Sequence, residues 1–451
     1  MINKHSNKEE ILSQAENLHG KTLRSFVDRK ELQAVEDNVN FQNGKDKGLF
    51  GKLTEVHCFN VDNNSRKEPD FPDAGIELKT TGLKLSPKEK KLGAKERLVF
   101  SMIDFMEVHK ESWLESSFLA KNQKLLILFY LWKETGKELE REYLFHEYID
   151  LLNSAFAKDI AQIEADWNKI VQMIREGKAD ELKEGKTSYL AANTKHGKSY
   201  KARKQPFSDI MAKPRSFVFK QKYFNFLVKQ KIQKEDYNYE HLIKEDSAPQ
   251  TIESFIESKL KPFYGKTEEE LCEIFGIVDN NQKQLRRQLV NGALGLKGTT
   301  KVEEFEKSNT TLKVIKLEEN GNLIQSVSFP HFEYLDLVKQ EWLESDFYDD
   351  LTSGRFVFVV FRAKGNSSVL EQFKFWTFPD EHLEFAELFW ERVVTLIKEG
   401  KADKLPGLAD NDIMHIRPHA TKGKTNITPS GDEVRTKCFW LNAQYIKSIF
   451  D

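Results

Sequence analysis

Cysteine is scarce in this chain: three residues in 451, Cys58, Cys272 and Cys438, far apart and without a CxxC pair. That spacing argues against a disulfide framework and a structural zinc site, and the three are expected to be ordinary buried thiols. His57 and Cys58 adjoin one another but lack the remaining ligands of a metal site. Long apolar runs are missing too. No stretch of about 18 uncharged apolar residues occurs, so no membrane-spanning helix is expected. The first ten residues are polar and carry no apolar signal-peptide core, which makes the cytoplasm the expected location. Neither sign of charge dominates: 69 Lys and Arg face 71 Asp and Glu, a net charge of -2 that does not announce a nucleic-acid partner. A P-loop and a Ser-His-Asp signature are both absent, so no dependence on ATP is expected.

What is present points to two sizeable cores. The chain exceeds the length one hydrophobic core usually serves, and 39% of its residues are hydrophobic, 33 of them Phe. Charge is also unevenly distributed. Nine Lys or Arg lie between Lys195 and Lys222, against the single acid Asp209. Such a patch is either a solvated loop or a surface for an anionic partner.

The chain repeats itself. Asp166–Leu182 reads DWNKIVQMIREGKADEL and Phe389–Leu405 reads FWERVVTLIKEGKADKL. Trp167, Ile170, Val171 and Ile174 match Trp390, Val393, Val394 and Ile397, the i, i+3, i+4, i+7 spacing of one helix face. Gly177 and Gly400 follow, where a left-handed helix cap is expected. The same order holds for ESWLESSFL (111–119) with QEWLESDFY (340–348), and for QKLLILFY (123–130) with GRFVFVVF (354–361), which read as buried strands. It continues in TKHGK (194–198) with TKGK (421–424), and in the aromatic segments 216–228 and 438–450. The polar stretch between the copies places the boundary near residue 245, giving domains at 1–230 and 256–451 joined by a linker at 231–255.

One cluster carries chemistry: Asp70, then Gly75-Ile76-Glu77-Leu78-Lys79-Thr80. Strand periodicity puts Glu77 and Lys79 on one face and sends Ile76 and Leu78 into a core. If the chain turns back before the strand, as Pro69 and Pro72 invite, Asp70 completes a carboxylate pair beside an ammonium. Carboxylates are the hard oxygen ligands Mg²⁺ prefers, and the lysine can orient a water and stabilise charge on phosphate oxygens. Standing alone, Glu-x-Lys also arises on any strand with a polar outer face.

The surrounding segments, GLFGKLTEVHCF (48–59), PDFPDAGIELKTT (69–81) and FLAKNQKLLILF (118–129), resemble the MutH family of the PD-(D/E)xK nucleases. Two such copies in one chain resemble the GATC-cutting, Sau-type restriction endonucleases. The resemblance implies an α/β fold of two tandem restriction-endonuclease-like domains, each a mixed β-sheet flanked by helices. It implies metal ligation by Asp70 and Glu77, catalysis by Lys79, an additional acid at Glu55 and a second active-site lysine at Lys121. The cofactor so implied is Mg²⁺ and the partner is double-stranded DNA containing GATC, cut before the guanine, with chains pairing on the palindrome.

The second copy reads differently. Thr310-Thr311-Leu312-Lys313 aligns with Ile76-Glu77-Leu78-Lys79, so the lysine is kept and the glutamate lost, and Glu304 falls opposite Asp70. This domain is expected to bind DNA as an effector without cutting. Arg417, His419 and Lys422 lie where the family places base-reading residues, and Arg can donate two hydrogen bonds to a guanine edge. The corresponding N-terminal residues are Asn193, Lys195, His196, Lys198, Lys201 and Arg203, suited to base edges or to phosphates. The rivals are a nicking repair endonuclease that needs a partner and a non-catalytic DNA-binding protein; intact Asp70, Glu77 and Lys79 beside a decayed copy argue against the latter.

Overall fold

The computed structural model describes residues 7–42, 48–62, 67–85, 92–132, 138–153, 156–194, 200–233, 238–244, 248, 250–278, 284–323, 325–418 and 424–450. Contacts divide the chain into two compact units, Met1–Tyr237 and Asn238–Asp451. The polar stretch read as a connection is thus shared between them. Its start is the end of the helix Gln221–Gln233, whereas Glu240 accepts backbone N–H bonds from Lys297, Thr299 and Thr300 of the second unit.

In the first unit the strands are β1 (Ile76–Leu85), β2 (Leu92–Ala94), β3 (Leu98–Met102), β4 (Lys124–Leu131), β5 (Tyr143–Asp150), β6 (Leu190–Thr194), β7 (Arg203–Gln205), β8 (Ser208–Ala212) and β9 (Arg215–Phe219). They form a sheet ordered β2-β1-β4-β5, a second ordered β3-β9-β6, and the hairpin β7-β8. The first sheet is mixed: β1 runs parallel to β4, and the other pairs are antiparallel. In β4, Leu125 to Tyr130 are all buried, the near-continuous apolar run of a strand covered on both faces. The helices Lys8–Asn17 and Leu49–Phe59 supply Ile11, Ala15, Phe50 and Leu53 to one core with Ile76, Leu78, Leu126 and Leu128.

The second unit repeats this plan with β10 (Thr310–Leu317), β11 (Val327–His331), β12 (Arg355–Lys364), β13 (Ser367–Trp376), β14 (Met414–Pro418), β15 (Thr425–Ile427), β16 (Glu433–Arg435) and β17 (Lys437–Leu441). Its sheets run β10-β12-β13 and β11-β17-β14, with the hairpin β15-β16, so only β2 lacks a counterpart among the described strands. Register agrees as well. Glu77 lies beside Leu125 across the parallel pair, and Thr311 beside Phe356.

The helices Ala157–Arg175 and Leu383–Lys398 bury the two matching stripes, Trp167, Ile170, Val171 and Ile174 in one and Trp390, Val393, Val394 and Ile397 in the other. Gly177 (φ 69°) and Gly400 (φ 74°) adopt the left-handed conformation that only glycine takes without strain. A side chain at Gly177 would also lie 2.7 Å from the Phe207 carbonyl oxygen of the β7-β8 hairpin, and one at Gly400 would meet Ser430, beside β16. Both hairpins dock on the same helix end.

Two expectations change. Cys58 and Cys438 are buried thiols, but Cys272 is half-buried. Glu304 is no counterpart of Asp70: it sits in the helix Glu303–Ser308, buried, accepting the backbone N–H groups of Leu242 and Ile243. Its carboxylate ties the start of the second unit in place, a purely structural task. Among the described residues no helix is long and apolar enough to cross a membrane.

Candidate active site

Asp70 reaches β1 through a tight turn. Phe71 and Ile76 exchange backbone hydrogen bonds at 2.9 and 3.2 Å, and the Gly75 N–H donates to the Pro72 carbonyl at 3.1 Å with Gly75 at φ 66°. The fold-back brings Asp70 Oδ2 to the Leu78 N–H (2.9 Å), while the Asp70 N–H donates to Glu77 Oε2 (3.2 Å). Alternation along β1 then does what the spacing predicts. Ile76 and Leu78 enter the core, and Lys79 Nζ donates to Glu77 Oε1 at 2.6 Å.

Two further groups converge from remote segments. Lys121 stands in the last turn of the helix Ser117–Asn122, one turn earlier than a strand-entry position, where Ser116 caps the helix by accepting from the Leu119 N–H. Its Nζ donates to the Glu68 carbonyl oxygen at 3.2 Å and lies 3.7 Å from Glu77 Oε2. Glu55 comes from the helix Leu49–Phe59. Burial and the neighbouring Asp70 push its carboxyl up to about 7, against the opposing pull of Lys79. Burial and the charge of Glu77 raise Asp70 to about 6, despite the hydrogen bond from Leu78. Three acids and two lysines that are far apart in the chain therefore share one desolvated pocket.

The donor set suits a hard divalent cation: carboxylate oxygens only, crowded enough to hold two of the acids partly protonated at neutral pH. Among the described residues no three acidic, His or Cys side chains are already disposed as a ligand cluster. The oxygens of Glu77 are engaged by Lys79, Lys121 and the Asp70 amide. Asp70 and Glu77 are the residues that would hold such a cation.

The electrostatics give a signed expectation. A carboxyl raised on folding contributes stability that is present below its unfolded pKa, about 4.5 for Glu55, and lost as pH rises through about 7. Glu55→Gln should therefore melt above the unaltered chain by roughly 2–4 °C at about pH 8, discounting for partial solvent access, with the gap closing towards about pH 5. Thermal unfolding of the full chain across that range checks it; a constant gap would mean that Glu55 does not titrate in the pocket.

The residues expected at the DNA face are only partly visible. Lys195, His196, Lys198, His419 and Lys422 lie outside the described residues. Lys201 and Arg203 are exposed on and beside the β7-β8 hairpin. Asn193 is already engaged, its amide donating to Glu184 Oε2 at 2.6 Å, and Glu184 pairs with Arg97 at 2.9 Å. A base edge would have to displace Glu184. Arg417 is exposed on β14, its guanidinium 3.9 Å above the Trp440 ring.

Asp166 carries a task that helical periodicity does not reveal. Fully inside the protein, it accepts N–H bonds from Ser188, Tyr189 and Leu190 and from the Gln162 amide, so it fastens the start of β6, which leads into the loop after Asn193. Its place on the buried face, one residue before Trp167, is the only signal the sequence offers.

The chain is similar to known proteins over these segments. A family model described as the DNA mismatch repair enzyme MutH matches residues 59–166, which include Asp70, Glu77, Lys79 and Lys121 and leave out Glu55. The DNA mismatch repair protein MutH of Vibrio cholerae serotype O1 is 26% identical over 222 residues, covering 47% of this chain and 91% of that protein. The type II restriction enzyme Sau3AI of Staphylococcus aureus is 30% identical over 458 residues, covering 93% of this chain and 92% of that enzyme. Spanning both units and built around the Asp70, Glu77 and Lys79 constellation, the chain belongs to the MutH-like, Sau-type type II restriction endonucleases.

Proposed function

We propose that the first unit hydrolyses double-stranded DNA at GATC before the guanine, leaving a 5′-phosphate, and that the second unit binds another copy of the site as an effector. The observation that carries this reading is the meeting of Asp70, Glu77 and Glu55 with Lys79 and Lys121 in one pocket. Asp70 and Glu77 would hold Mg²⁺, with Glu55 nearby; the ion supplies bound water and neutralises phosphate charge. Lys79, beside Glu77, orients the attacking water, and Lys121 adds positive charge beside the phosphate. The water oxygen bonds to phosphorus as the bond to the 3′ oxygen breaks, so the phosphate remains on the 5′ side.

Specificity is assigned to the loop after β6 with Asn193, Lys195, His196 and Lys198, and to Lys201 and Arg203 for backbone contacts. In the second unit Arg417, His419 and Lys422 take the reading role. Thr311 in place of Glu77 leaves that unit without the carboxylate pair, so it binds without cutting. One intact site per chain and a palindromic target require two chains on the duplex or two successive nicks. The protein works in the cytoplasm, without ATP.

The test is incubation of the full chain with unmethylated plasmid carrying several GATC sites, with Mg²⁺ or with EDTA. Fragments with 5′-phosphate ends at GATC should form with Mg²⁺ only. Ends at another sequence would overturn the specificity, and cutting in EDTA would overturn the metal.

A further inference from the structure

The second unit has lost the acids that match Glu55 and Glu77 and has gained a cation, Arg287. In the first unit, one row across β3, β9 and β6 is Met102, Ser216 and Asn193, all uncharged. The equivalent row across β11, β17 and β14 is His331, Cys438 and Arg417. Directly paired strand residues share a face, so these three side chains stand on one side of the sheet. Lys313, which matches Lys79, is directed to the same place: its Nζ donates to the Ser328 carbonyl oxygen of β11 at 2.9 Å, and it lies within electrostatic reach of Cys438.

The helix Leu285–Leu294 corresponds to Leu49–Phe59, with Leu285 and Leu289 buried as Leu49 and Leu53 are. On that alignment Asn291 stands where Glu55 does and Arg287 where Gly51 does. Arg287 Nη1 donates to the Leu312 carbonyl oxygen of β10 at 2.8 Å, which sets a second cation beside Lys313. The two repel, and burial together with Arg287 pushes the Lys313 amine down to about 8. Neither forms an ion pair with a carboxylate among the described residues. Glu55 and Glu77 of the first unit are thus matched by Asn291 and Thr311 and Lys79 by Lys313, Asp350 falls at the position of Lys121, and Arg287 is a cation with no counterpart in the first unit.

Two desolvated cations without a counterion are costly, and the cost is relieved when an anion enters. We infer that the cleft of the second unit, through Arg287 and Lys313 with Arg417 at its rim, is a metal-independent binding site for a phosphodiester of duplex DNA. This rests on the reading that the second unit binds DNA, and it gives that binding its anchor. Arg287 and Lys313 clamp a backbone phosphate where the first unit would hold a metal ion and cut, so the same fold retains the duplex intact.

The experiment measures binding of a 20-bp duplex carrying one GATC to the full chain in EDTA, by anisotropy and by titration calorimetry over a range of salt. The unaltered chain should bind two duplexes. The Arg287→Gln/Lys313→Met double variant should bind the second at least tenfold more weakly, and the log–log salt slope for that duplex should fall by about 1, for the one backbone phosphate no longer neutralised. Two duplexes at unchanged affinity and slope would overturn the anchor.

If the unaltered chain binds a single duplex, the effector reading fails separately. The site is then judged on the unaltered protein by acetylation of Lys313, read by mass spectrometry. The same footprint decides the matter if the double variant does not fold. Slowing of acetylation by the duplex, several-fold beyond that by inorganic phosphate at equal phosphate concentration, upholds the inference. Slowing by both alike makes it a general phosphate site and overturns the assignment to duplex DNA, and no slowing by either overturns the site.

Discussion

Glu77→Ala is expected to abolish cutting while sparing DNA binding. The carboxylate is buried, meets Lys79 at 2.6 Å and Lys121 at 3.7 Å, and accepts the Asp70 N–H, so its removal takes away the partner of both lysines. The rate of DNA cleavage should fall by about 10³-fold or more, ~4 kcal/mol of transition-state stabilisation, the scale set by losing one group that orders developing charge. Affinity for uncut duplex in EDTA should change by less than about threefold, because an acid removed from a cleft that receives phosphates relieves repulsion. The fold should persist, since Lys79 and Lys121 keep partial access to water and Asp70 remains a partner. Residual activity near the starting level in a single-turnover assay would remove Glu77 from the catalytic machinery. Lost cutting with lost binding would instead make its role structural.

Asp166→Ala should produce a large loss of stability in the first unit. The side chain accepts four hydrogen bonds, three of them from consecutive backbone N–H groups at 2.9, 2.6 and 3.0 Å, in a site closed to water. Hydrogen bonds to a charged acceptor are worth about 1.5–3 kcal/mol each, and buried donors left unpaired carry their full desolvation cost. A loss of roughly 4 kcal/mol follows, lowering the melting temperature by about 10 °C in a unit of this size. Thermal or urea unfolding of the full chain measures it. The second unit, which has Phe389 at this position, should melt unchanged, and a shift confined to the second unit would refute the assignment. Because β6 carries Asn193, which we propose reads a base edge, binding should weaken well below the melting temperature.

How much of this was legible depended on distance along the chain. Glu77 and Lys79 are two residues apart on a strand, so a period of two settles that they share a face. The matching helices declared themselves through four apolar positions and a glycine. Offset alone misled where the backbone differs: Glu304 lies seven residues before Thr311, as Asp70 does before Glu77, but the first is in a helix and the second leads into a tight turn. Asn193 looked available to a base until the fold brought Glu184 to within 2.6 Å.

The sequence by itself determined the two copies, the central apolar strands, the Glu77–Lys79 pair and the loss of the glutamate at Thr311, since each is a local periodicity or a direct comparison of aligned residues. Only the tertiary structure decided that Glu55 and Lys121 join that pair, that Asp70 and Glu55 are raised to about 6 and 7, and that Arg287 stands beside Lys313. Those are properties of pairs remote in the chain, set by burial and by electrostatic neighbours, and a residue's period says which way it faces but not what it meets there.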